Sequence, residues 1–244
     1  MKIFLRVGII WLVLSMLAYG LTAQGNFYLQ ADSFFSKYVD SNGNVDYKAL
    51  VNDPGEVNSL VKEIENYSVN SASAAEKKAF YTNAYNILVI KQIVDRYPIE
   101  GPLKVDGFFD KIKSKVAGEY LTLNQVEKDK NLFVNGDERL HFVLVCGAKG
   151  CPPLANFAYT PEKIESQLED RTKLALNSSS FIRHTGNQAE ISQIFSWYEG
   201  DFKGKVPGGI VGYLNKYRKN QIPLKAKIVY YEYNWNLNIQ YKSK

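Results

Sequence analysis

Reactive side chains are scarce in this chain, whose 244 residues include two cysteines and two histidines. Two thiols exclude a framework of several disulfides, and so few ligands argue against a closed zinc site. No Cys-x-x-Cys pair is present, so the thioredoxin type of redox motif is absent. Charge of one sign is lacking too: 30 Lys and Arg stand against 25 Asp and Glu, leaving +5, without the dense basic face that nucleic acid requires. The loop Asp40-Ser-Asn-Gly-Asn44 lacks the spacing and closing glutamate of a calcium-binding EF-hand and reads as a turn. No internal repeat and no long Pro, Gly or Ser linker divides the chain, so one domain is expected, and 45% hydrophobic residues supply its core. Most of the 17 tyrosines read as the edge of that core, although tyrosine also lines polar clefts.

What is present begins with a leader. Lys2 and Arg6 precede an uncharged run from Val7 to Leu21, with small residues at Ala18, Gly20 and Ala23. That is the layout of a secretory signal peptide over residues 1–23, followed by a single domain over 24–244. The run falls short of the ~20 residues of a spanning helix, so cleavage after Gly20 or Ala23 is expected rather than a retained anchor. The expected protein is exported, periplasmic or secreted, and membrane-anchored only if the leader stays. No cysteine lies near these points to carry a lipid.

The chemistry concentrates in Arg139-Leu-His-Phe-Val-Leu-Val-Cys-Gly-Ala-Lys-Gly-Cys-Pro-Pro-Leu154, which holds both cysteines and His141. His141 to Val145 reads as a short buried strand with Cys146 at its end. Gly147 and Gly150 permit positive φ in the following loop, and Pro152-Pro153 fix its exit. A thiol held at a strand end suits a nucleophile, whereas Cys151, beyond two glycines, reads as the more adaptable one. A free cysteine is equally a common buried structural residue, and the two could close into a disulfide if their Cα atoms approach within about 7 Å. His141 lies an odd number of positions from Cys146, so the pair meets only if the strand bulges or ends there. Otherwise His141 is a hydrogen-bonded core imidazole.

A second informative stretch is a helix expected from Ala74 to Tyr97. Its apolar stripe Phe80, Ile87, Ile90, Val94 includes Asn83, with Asn86 beside it. Two inward amides need partners. They tie down a neighbouring loop, or they orient a histidine or a substrate oxygen. Further helices are expected from about Gly25 to Tyr38, Val57 to Tyr67, Leu121 to Leu132 with Thr122 as cap and Glu127 upon it, Thr160 to Asn177 and Gly209 to Tyr217. Phe181 to His184 and Ala189 to Ile191 form an expected hairpin turning at Thr185-Gly-Asn187, and Lys227 to Tyr233 an expected strand.

Taken together, Phe80-Tyr-Thr-Asn-Ala-Tyr-Asn86, Leu123-Asn-Gln-Val-Glu127, Arg139-Leu-His141 with Cys146-Gly-Ala-Lys-Gly-Cys-Pro-Pro-Leu154, Ile194-Phe-Ser-Trp-Tyr-Glu-Gly-Asp-Phe202 and Tyr233-Asn-Trp-Asn-Leu-Asn238 resemble the family called domain of unknown function 547. They follow the family's order across most of the chain beyond the leader. The family usually carries a histidine after the glutamate matched by Glu127, where this chain has Lys128, and an aspartate before the C-terminal tryptophan, where it has Asn234. The resemblance points to Asn83, Asn86, Glu127, Arg139, His141, Cys146, Cys151 and Asp201, and implies no particular activity.

The expected fold is α+β: one domain with a central, mostly antiparallel sheet packed by helices, cysteine-protease-like if Cys146 is a nucleophile. In that reading the protein is a thiol-dependent hydrolase or acyl transferase. Cys146 attacks a carbonyl, His141 takes its proton, Asn83 or Glu127 orients the imidazole, and the Gly147 and Ala148 N–H groups stabilise the oxyanion. Asn86, Arg139, Cys151 and Asp201 then serve binding. The alternative is a non-catalytic module holding a peptide or glycan, with a structural Cys146–Cys151 disulfide. Neither reading calls for a cofactor or metal. The expected partner is a small molecule, peptide or glycan, not nucleic acid, and a membrane only through an uncleaved leader. Nothing in the sequence bears on oligomeric state.

Overall fold

The computed structural model describes residues 26–132 and 136–241; the expected leader over 1–23 lies outside them. Helix α1, over 26–38, is followed by α2 (Tyr47–Asn52), α3 (Gly55–Asn66) and α4 (Ala74–Val94). Ser73 caps α4 by accepting the Glu76 N–H at 3.2 Å. Nearly every residue of α4 from Ala79 to Ile93 is buried, not one stripe of it. The helix is enclosed because α2, α3 and the segment after Thr122 all pack against it.

The chain is α+β, as expected, but among the described residues the strands form two small sheets rather than one central sheet. Strands β1 (Lys113–Val116) and β2 (Glu119–Thr122) form an antiparallel hairpin. Its turn is pinned to the end of α3 by the Ala117 and Gly118 N–H groups, which donate to the Ile64 and Glu65 carbonyls at 2.8 and 3.0 Å. Strands β3 (Ile182–Thr185) and β4 (Gln188–Ser192) are the expected antiparallel hairpin, and β5 (Lys227–Tyr231) joins β4 in parallel. This mixed sheet packs with α5 (Ile164–Asn177), α6 (Ile194–Trp197), α7 (Glu199–Lys203) and α8 (Gly209–Tyr217) around a second apolar cluster that includes Phe142, Phe195 and Phe202. The first cluster surrounds α4.

Two departures from expectation shape the site. His141 to Val145 is not a strand: Glu138–Phe142 is a 3-10 turn capped by Asp137, and the chain then runs on without a sheet partner. Its polar groups are taken by Asn86 instead, whose Nδ2 donates to the Val143 carbonyl at 2.9 Å while its Oδ1 accepts the Val145 N–H at 2.9 Å. One side-chain amide thus does what a neighbouring strand would do. Second, the helix carrying Glu127 widens into a π-helix over Gln125–Leu132. It starts from a reciprocal cap in which Gln125 N–H donates to Thr122 Oγ1 (3.2 Å) and Thr122 N–H to Gln125 Oε1 (2.9 Å). Asn131 ties it to Thr82 of α4 at 3.0 Å. π-helical turns recur at functional sites.

Asn83 takes the plainer of its two expected roles. Its Nδ2 donates to the Tyr159 carbonyl at 2.7 Å and its Oδ1 accepts the Tyr159 N–H at 2.9 Å, so it anchors the loop before α5. Asn83→Ala is therefore expected to lower stability by about 1–3 kcal/mol, because both Tyr159 backbone groups are left buried and unpaired. Chemical denaturation reads this directly, and an unchanged midpoint would contradict the assignment.

Candidate active site

The loop after Val145 doubles back on itself. At Gly147 φ is +82°, and a Cβ there would lie 2.6 Å from Ile93 Cδ1, so this position needs glycine both for its backbone and for its closeness to α4. Gly150 does not take the positive φ expected of it. Its hydrogen side faces the Tyr233 ring, where a Cβ would come within 2.8 Å. The C-terminal segment straps the loop: Lys149 N–H donates to Asn236 O and Gly150 N–H to Asn234 O, both at 2.8 Å, and Asn238 N–H donates to Gly147 O at 3.0 Å. Cys151 N–H closes the turn onto Ala148 O at 3.1 Å.

This fold of the loop brings the two cysteines together as free thiols, not as the disulfide of the binding-module reading. Cys151 Sγ accepts the Cys146 N–H at 3.1 Å and the Tyr233 hydroxyl at 3.0 Å, and that hydroxyl lies 3.4 Å from Cys146 Sγ. Burial raises the Cys151 thiol. The Cys146 thiol, the Tyr233 hydroxyl and the N–H groups of Ala148 and Cys146 outweigh it and bring Cys151 below its ordinary value. The same contact with Cys151, together with burial, drives Cys146 well above. The two shifts are opposed, and the two donors on its sulfur make Cys151 the more acidic thiol of the pair. The geometry thus favours the opposite sulfur from the one expected at a strand end.

Both cysteines line a cavity of about 230 Å³ together with Glu127, His141, Tyr198 and Tyr233, walled by Phe109, Trp197 and Trp235. His141 Nε2 lies 2.8 Å from Asp201 Oδ2, and its ring packs on Tyr198 at 4.0 Å between centroids. Its side chain is 3% exposed while that of Asp201 is 48% exposed. Burial lowers the His141 pKa against the opposing pull of Asp201, so the imidazole is neutral near pH 7. The carboxylate that orients it is Asp201, neither Asn83 nor Glu127. Glu127 is also in the cavity, with Tyr198 donating to its Oε1 at 3.1 Å. Burial lifts its carboxyl above the ordinary 4.5, and the Tyr198 and Tyr85 hydroxyls only partly offset that rise.

The remaining expected site residues lie elsewhere. Asn86 shapes the loop from behind. Arg139 is held by Asp137 at 2.8 Å and by Glu165, itself bridged to Lys78 at 2.8 Å. Burial opposes the charge on Asp137, yet Arg139 and Lys78 hold its carboxyl down to about 2, so Arg139 is part of an ion network outside the cavity lining. Sequence reasoning did not name Tyr85, Tyr198 and Tyr233 as site residues, although each lies within one of the motifs quoted for the resemblance, which is the signal that could have found them. Among the described residues no three histidine, cysteine, aspartate or glutamate side chains converge to hold a metal ion.

A family model described as "Protein of unknown function, DUF547" matches residues 69–174. The matched segment carries Glu127, His141 and both cysteines, whereas Tyr198, Asp201 and Tyr233 follow it. No curated protein and no solved structure matches the chain.

The opposed shifts make a stability test. Glu127 has a folded pKa above its unfolded value, so the folded state binds the extra proton, and stability falls as pH rises from about 4.5. Glu127→Gln keeps the shape and an acceptor for Tyr198 but cannot ionise. Urea unfolding is expected to find the variant more stable than the parent at pH 7–8, with the difference vanishing near pH 4. Equal stability at all pH values would mean that Glu127 ionises freely in the cavity.

Proposed function

We propose that this chain, whose residues 69–174 match the DUF547 family model, carries in its cavity the active centre of a thiol-dependent hydrolase or acyl transferase with Cys151 as nucleophile. The observation that carries this reading is the double donation to Cys151 Sγ, from Tyr233 and from Cys146 N–H, at the wall of a cavity shared with Glu127 and His141. A thiolate held by two donors, with an acid and a base of opposite pKa shift nearby, is the equipment of acyl transfer.

The Cys151 thiolate attacks the carbonyl carbon of a bound ester or amide, and the negative charge passes to the carbonyl oxygen. The Tyr233 hydroxyl, no longer needed by sulfur, donates to that oxygen. Glu127, whose carboxyl burial makes easier to protonate, acts in its protonated form and gives that proton to the leaving oxygen or nitrogen as the bond to carbon breaks, which leaves a thioester on Cys151. Neutral His141 then takes a proton from the attacking water or acceptor, and Asp201 stabilises the resulting imidazolium. The carbon–sulfur bond breaks, the thiolate re-forms, and His141 returns the proton to Glu127. Tyr198 touches both groups, with its ring on His141 and its hydroxyl on Glu127. Cleavage of a leader over residues 1–23 would release this chemistry outside the cytoplasm.

A p-nitrophenyl ester needs no acid for its leaving group and so isolates the first step. Reduced protein mixed with p-nitrophenyl acetate is expected to release a burst of about one equivalent of nitrophenol, with the acetyl group found by peptide mass spectrometry on Cys151. Cys151→Ser should abolish the burst, and Asp201→Asn should keep the burst but slow the turnover after it. Acetyl on Cys146, or no burst, would contradict the assignment.

A further inference from the structure

Cys151 and Pro152 line two cavities, not one. The second, of about 400 Å³, is lined by the loop residues from Ala148 to Pro153, whereas of that loop only Cys146, Cys151 and Pro152 reach the first. The loop is held by the Lys149 and Gly150 N–H bonds to the C-terminal segment. The two cavities differ in chemistry. Indole and phenyl groups wall the first, whereas Lys149, Arg183, Glu232, Asn234 and Ser180 face the second. Arg183 is set by its pair with Glu190 (Nε to Oε2, 2.9 Å) and by the Tyr231 ring 4.8 Å beneath its guanidinium.

Water needs no such chamber. Building on the thiol reading above, we propose that the second cavity is the acceptor subsite of an acyl transferase and that it takes the amino end of an amino acid or short peptide. Two cations, Lys149 and Arg183, suit the acceptor's carboxylate, and Glu232 suits its ammonium group before that loses a proton. The acyl group stays among the aromatic rings of the first cavity as a thioester on Cys151. The acceptor ammonium gives one proton through the Glu232 carboxylate to water; the free amine then forms the new carbon–nitrogen bond from the side of the second cavity, and its second proton goes to the Cys151 sulfur as the carbon–sulfur bond breaks. An amide and a free Cys151 thiol result, and no oxidant or reductant is needed.

The test uses the whole protein, p-nitrophenyl acetate as donor and glycylglycine as acceptor, with the Cys151→Ser protein as the blank for uncatalysed aminolysis. The nitrophenol burst reports acylation, and the ratio of N-acetyl-glycylglycine to acetate reports transfer. That ratio is expected to rise and saturate with glycylglycine. In the Lys149→Ala, Arg183→Ala double variant it should fall about tenfold while the burst is kept, as expected when charge-assisted hydrogen bonds to a carboxylate are lost. Arg183→Lys should retain most of the transfer. A burst followed by acetate alone, or a ratio unaltered in the double variant, overturns the acceptor subsite and leaves the thiol reading standing. The absence of a burst overturns both.

Discussion

The structure depends on how a buried stretch of backbone without a strand partner satisfies its polar groups. From Val143 to Cys151 the chain passes between two apolar clusters, where each unpaired N–H or carbonyl would cost about 1–3 kcal/mol. Asn86 serves the entrance, the C-terminal segment from Asn234 to Asn238 serves the exit, and Cys151 Sγ takes the N–H of Cys146. That last bond joins structure to chemistry, because a sulfur that accepts a backbone N–H is also a sulfur biased toward its anion.

Around that sulfur, burial acts in opposite directions on two groups. It raises a carboxyl and lowers an imidazole, so Glu127 is a weaker acid and His141 a weaker base than either would be in water. Asp201 offsets only part of the desolvation of His141, and being half-exposed it also links the buried ring to solvent. The two cysteines are separated in the same way by mutual contact: one thiol becomes more acidic because its neighbour becomes less so.

Much of this was legible in the sequence. Two asparagines on an apolar helix face had to find partners, and both did; the cap at Thr122 and the hairpin through Thr185-Gly-Asn187 follow from local turn and cap chemistry. The strand expected at His141 was misread because a short apolar run fits a strand or a buried irregular segment equally well, and the deciding contact comes from Asn86, far away in the chain. The role of Asp201 was hidden similarly: it was named as a site residue, but its pairing with His141 across 60 positions has no local signature. The π-helix and the choice between the two sulfurs are tertiary effects, set by packing on α4 and by the strap that brings in Tyr233.

The central claim is that Cys151 is the more acidic thiol of the pair. Ultraviolet thiolate absorbance followed against pH measures it most directly. The account predicts two steps in the parent protein, one below and one above the ordinary thiol value of 9.0, with the lower step lost in Cys151→Ser. A single step of double amplitude near the ordinary value, or a lower step that survives in Cys151→Ser and vanishes in Cys146→Ser, would contradict it.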